Sequence, residues 1–65
     1  MIRVIELESG KLVYQGEWDK APQGAVKTYL DSVAKHHGAD NVENYLRFKD
    51  TPLALLYKGF NVEVL

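Results

Sequence analysis

Val26, Tyr29, Leu30, Val33, Ala34 and His37 fall at i, i+3, i+4, i+7, i+8 and i+11, the spacing that lines one face of an α-helix. Lys27, Thr28, Asp31, Ser32 and Lys35 lie off that stripe. The ends are punctuated as well. Asp19 is an early cap candidate, Pro22 suits a first turn, and Gly38 stands where a left-handed C-terminal cap belongs. Asp31 and Lys35 predict a surface ion pair. A helix with one apolar stripe buries nothing alone, so the rest of the chain must supply a face for it to lie on.

The segment before it, VIELESGKLVYQGEW (Val4 to Trp18), reads as a β-hairpin around Ser9-Gly10. A two-residue turn pairs Glu8 with Lys11, Leu7 with Leu12, Ile5 with Tyr14, Arg3 with Gly16 and Met1 with Trp18. Leu7, Leu12, Ile5, Tyr14, Met1 and Trp18 then share one face, predicted to receive the helix. The other face holds Ile2, Val4 and Val13 among Glu6, Glu8, Gln15 and Glu17. A three-residue loop with Gly10 in the left-handed conformation would shift this register.

After Gly38, Val42, Asn44, Leu46 and Phe48 alternate with Glu43, Tyr45, Arg47 and Lys49, which predicts a strand. Asp40 with Glu43 three residues on, and Val42, Tyr45 and Leu46 on one side, support a short helix as the alternative. Thr51-Pro52 followed by LALLYKG is compatible with a short extra helix at 52–58 and equally with a strand turning at Lys58-Gly59, and the sequence does not decide between them. Phe60, Val62 and Val64 alternate with Asn61 and Glu63 in a final strand. The expected fold is α+β: an N-terminal β-hairpin and one amphipathic helix packed on a small, mainly antiparallel sheet (ββαββ), in one domain over 1–65.

A chain of 65 residues has a core that rarely supplies more than about 3–5 kcal/mol, so association with another chain is a natural expectation. It has no cysteine, hence no disulfide framework and no thiolate nucleophile. The first residues, MIRVIELESG, interrupt their apolar positions with acids, unlike a signal peptide, which places the start of the mature chain at or near Met1. No run of about 18 apolar residues occurs, and neither a membrane partner nor secretion is expected. The net charge of −1 argues against a strongly phosphate-binding surface.

Candidate chemistry is sparse. His36, His37 and Asp40 invite a metal, but adjacent helical residues point about 100° apart, so both imidazoles cannot easily reach one ion. Ser9 and Ser32 have no base in prospect for nucleophilic attack. Glu6, Glu8 and Glu17 suit a solvated acidic strand better than a cation site. Gly10, Gly38 and Gly59 are explained by turns and caps, and Gly16 and Gly24 form no phosphate loop. The sequence therefore predicts no enzyme, no metal and no cofactor.

What remains is apolar surface. Ile2, Val4 and Val13 on the second hairpin face, with Phe60, Val62 and Val64 of the last strand, exceed what one helix covers. The sequence thus predicts a small cytoplasmic protein-interaction module, self-associating as a homodimer and acting as an accessory or inhibitor of a larger protein, with those six residues as the partner-binding set. Pairing at the edge of FNVEVL is the expected mode. The alternative function is binding of single-stranded or structured nucleic acid, through Tyr45, Arg47 and Lys49 on one strand face.

Overall fold

Between Glu6 and Lys11 the chain reverses through four residues, not two. Gly10, at φ 70°, donates its N–H to the Glu6 carbonyl (2.8 Å), and Glu6 N–H donates to the Lys11 carbonyl (2.9 Å). Ser9 Oγ closes the loop by donating to Glu6 Oε1 (2.8 Å) and accepting from Lys11 N–H (3.3 Å). A left-handed residue is needed at this point, and glycine adopts that conformation without steric cost.

The computed structural model describes all residues from 1 to 65. Its order is β1 (Ile2–Glu6), β2 (Leu12–Gly16), a 3-10 turn (Trp18–Lys20), α1 (Ala25–His37), a second 3-10 turn (Ala39–Asn41), α2 (Val42–Lys49), α3 (Leu53–Tyr57) and β3 (Phe60–Val64). The strands form one antiparallel sheet in the order β2-β1-β3. This is the α+β architecture expected, with the hairpin first and the amphipathic helix packed on the sheet.

The hairpin register differs from the two-residue-turn pairing. Val4 lies opposite Tyr14, Ile2 opposite Gly16 and Ile5 opposite Leu12, with a bulge at Val13. From Ile2 to Val4 the ladder is shifted by one residue, which moves Tyr14 onto the face of Val4, and beyond the bulge Leu12 is shifted by two and stays on the face of Ile5. Ile2 and Val4 therefore point inward and are completely buried, whereas Leu7 and Leu12, expected inside, are half exposed. Facing Ile2 and Val4 from β3 are Val64 and Val62 on the same side of the sheet.

On this inner face lie Leu30 and Val33 of α1, Val42 and Leu46 of α2, and Leu55 of α3. Together with Ile2, Val4, Val62 and Ala21 they make one cluster, and no polar side chain is buried with them. Each large aliphatic member contributes roughly 1.5–3 kcal/mol of burial. The opposite face of the sheet, with Arg3, Ile5, Leu12 and Gln15, carries no helix. Arg3 and Glu63 pair across it at 3.5 Å.

The main helix is shorter at its start than the punctuation suggests. Asp19 belongs to the 3-10 turn, Pro22 precedes the helix, and Gly24 holds the N-cap position without a side-chain cap. At the other end Gly38, at φ 93°, donates its N–H to the Ala34 carbonyl (2.9 Å). The ion pair on its surface joins Lys27 to Asp31 (2.6 Å), in place of Asp31 with Lys35.

Residues 42–49 form a helix, so the strand expected there is corrected. Val42 and Leu46 are buried, but Asn44 is exposed and Phe48 is 75% exposed, the outcome of a 3.6-residue period in place of a two-residue one. The segment at 52–58 is the short helix, α3, beginning after Pro52. No helix is long and apolar enough to cross a membrane.

Candidate interaction surface

The two outer strands of the sheet end differently. Along β1, Leu7 N–H donates to the Gly59 carbonyl (2.8 Å), and Leu65 N–H donates to the Met1 carbonyl (3.0 Å). Odd-numbered residues of β1 thus bond to β3, and by antiparallel alternation Phe60, Val62 and Val64 turn their backbone groups outward. Thr51, in the connection between α2 and α3, fills the middle of that edge. Its oxygen accepts from Val62 N–H (3.4 Å), its hydroxyl donates to Asn61 Oδ1, and the Val62 carbonyl lies 3.5 Å away. A strand can no longer be added at FNVEVL without displacing this side chain.

The β2 edge has no such cover. No strand lies beyond it, and Leu12 (52% exposed) and Val13 (48%) stand along it, with Leu7 in the adjoining loop. Beside it, on the inner face, opens an apolar cleft of about 270 Å³. Val4, Val13, Tyr14 and Phe60 line it from the sheet, and Ala21, Pro22 and Val26 from the entry to α1. The Tyr14 wall is fixed: its hydroxyl donates to the Glu17 carbonyl (2.6 Å), and its ring crosses Gly16, where a Cβ would stand 2.6 Å from the phenol oxygen. A side chain at 16 would have to push the end of the tyrosine aside.

Of the six residues expected to bind a partner, Ile2, Val4 and Val62 belong to the core, and the folded chain does not offer them as surface. Val13 and Phe60 meet at the cleft, with Val4 beneath them, while Val64 is half-buried farther along β3. A second apolar surface, not anticipated from the sequence, lies on α3. Leu53, Leu56 and Tyr57, at i, i+3 and i+4, are 65%, 42% and 81% exposed.

The aromatic and basic strand face proposed for nucleic acid does not exist. On a helix Tyr45 and Arg47 point about 200° apart. Tyr45 stacks on His37, with centroids 4.6 Å apart and planes 24° apart, and shares a shallow depression with Asn44, Phe48 and Lys49. Arg47 lies elsewhere, beside Asp50, Thr51 and Glu63. Burial and the adjacent Tyr45 phenol raise the pKa of Tyr29 above its ordinary value.

The remaining candidates are dispersed. His36 Nδ1 lies 2.8 Å from the Ser32 carbonyl of its own helix, and His37 is engaged with Tyr45. No three metal-ligating side chains converge anywhere. Two features had no clear sequence signal: the insertion at Val13 and the use of Thr51 on a strand edge. The Thr51-Pro52 pair reads equally well as the cap of α3. Comparison with protein-family models, curated proteins and solved structures gives no match for this chain.

Proposed function

We propose that this protein is a cytoplasmic protein-interaction module that self-associates and acts as an accessory or inhibitory subunit on a larger protein. The supporting observation is the distribution of apolar side chains. Nine large ones are 42% or more exposed, and six of these fall in two places, the open hairpin side (Leu7, Leu12, Val13) and the outer face of α3 (Leu53, Leu56, Tyr57). Covering such side chains returns about 25 cal/mol for each Å² removed from water. Burial of this kind adds to a core whose own margin is about 3–5 kcal/mol. Binding alone carries this function; it includes no cofactor and no catalytic step.

The test uses tagged wild-type, Val13→Glu and Leu56→Glu proteins to capture partners from lysate of the source cells, with and without nuclease. Both positions are exposed, and circular dichroism of each bait checks that it folds. The expected result is a stoichiometric protein that survives nuclease and is lost with at least one variant. Equal recovery by all three baits, or recovery abolished by nuclease, overturns the proposal.

A further inference from the structure

The bulge at Val13 decides which strand can extend the sheet. Arg3 and Ile5 direct their backbone groups at β3, so their neighbours across the hairpin, Gln15 and Leu12, direct theirs away from the sheet. On a regular strand, outward-facing residues recur every two positions. Here Leu12 and Gln15 are three apart, because Val13 is inserted between their partners' positions. The extra residue bends the strand and sharpens its twist, which makes this edge a poor template for a straight, regular strand. A second copy of β2, run antiparallel, presents the same spacing: Leu12 meets Gln15, and Gln15 meets Leu12.

We propose that β2 pairs with β2 of a second copy of this chain, antiparallel about a twofold axis between Val13 and Tyr14, joining two three-stranded sheets into one of six strands. The pairing rests on the protein-interaction function and names its self-association surface. Leu12 and Gln15 share the helix-free face, so the residues that become opposed also share a face, as antiparallel pairing requires. Val13, half exposed in the single chain, is covered at the axis. The competing edge is occupied by Thr51.

The absence of cysteine makes the register directly testable. Leu12→Cys and Gln15→Cys are prepared separately and oxidised alone and as a mixture. Alongside, wild-type mass is followed by sedimentation equilibrium over a range of concentrations. In the proposed register the mixture forms a disulfide-linked heterodimer at least about tenfold faster than either variant alone. Like positions stand three residues out of register, roughly 10 Å, beyond the reach of a disulfide. Both sites are exposed, and circular dichroism confirms that the variants fold. Equal rates, preferential linkage of Gln15→Cys to itself, or a monomer mass at every concentration overturns the pairing. A monomer mass together with partner capture that Leu56→Glu abolishes overturns the pairing while leaving the interaction module standing.

Discussion

At one side of the sheet, β3 is backed by α2 and α3 and has its exposed backbone groups met by Thr51; at the other, β2 has neither a helix behind its edge nor a side chain across it. The contrast follows from connectivity. The chain passes from α2 to α3 beside β3, and one threonine on that path satisfies a donor that would otherwise invite a foreign strand. No segment passes beside β2. Its protection is the bulge at Val13, which bends the strand away from a regular ladder.

The difference predicts a graded response to substitution. Leu55→Ala, in the helix that backs the closed edge, leaves a cavity under β3 and costs about 2–5 kcal/mol, close to the whole margin of a domain this small. Denaturant titration should find the variant largely unfolded at concentrations where the parent is native; a loss below about 1 kcal/mol would mean that α3 does little to hold β3. Thr51→Val keeps the shape but strands the Val62 N–H, at a cost of about 1–3 kcal/mol. Hydrogen exchange at Val62 should accelerate, and an unchanged rate would remove Thr51 as the cap.

On the open side the effects shrink. Gly16→Ala drives a Cβ into the Tyr14 phenol and displaces it from the Glu17 carbonyl, for roughly 1 kcal/mol and a changed tyrosine fluorescence. Leu12→Ala should alter monomer stability by no more than about 0.5 kcal/mol in thermal unfolding, since its side chain already faces water. A larger loss of monomer stability would show that the open side is braced by contacts within the chain.

Much of the architecture was legible before folding: the hairpin, the end of α1 at Gly38 and β3 follow from periodicity and glycine punctuation, while 52–58 read equally as helix or strand until α3 decided it. Two failures have definite physical causes. Val42 and Leu46 are four apart, a separation that fits both the helical and the strand period, so the pair cannot discriminate between them. Asn44 and Phe48 break the tie, and their exposure in α2 shows that the helix wins. In the hairpin, loop length sets the register, and Gly10 serves a two-residue and a four-residue turn equally well. That ambiguity exchanged the inner and outer faces and moved Ile2 and Val4 from the candidate partner surface to the core. The open edge was misplaced for a related reason: alternation identifies β3 as a strand but says nothing of what runs beside it.

The hydrogen bond from Leu65 to the Met1 carbonyl sets residues 1 and 65 side by side on neighbouring antiparallel strands. Tension applied between these two residues therefore loads the β1–β3 ladder at one end and opens its bonds one after another, like a zip, where shear would load them together. Handles placed at Gly10 and Leu65, at opposite ends of the same strand pair, would pull along the strands and meet far greater resistance. The molecule is thus mechanically directional, yielding at its two ends long before it yields along its length.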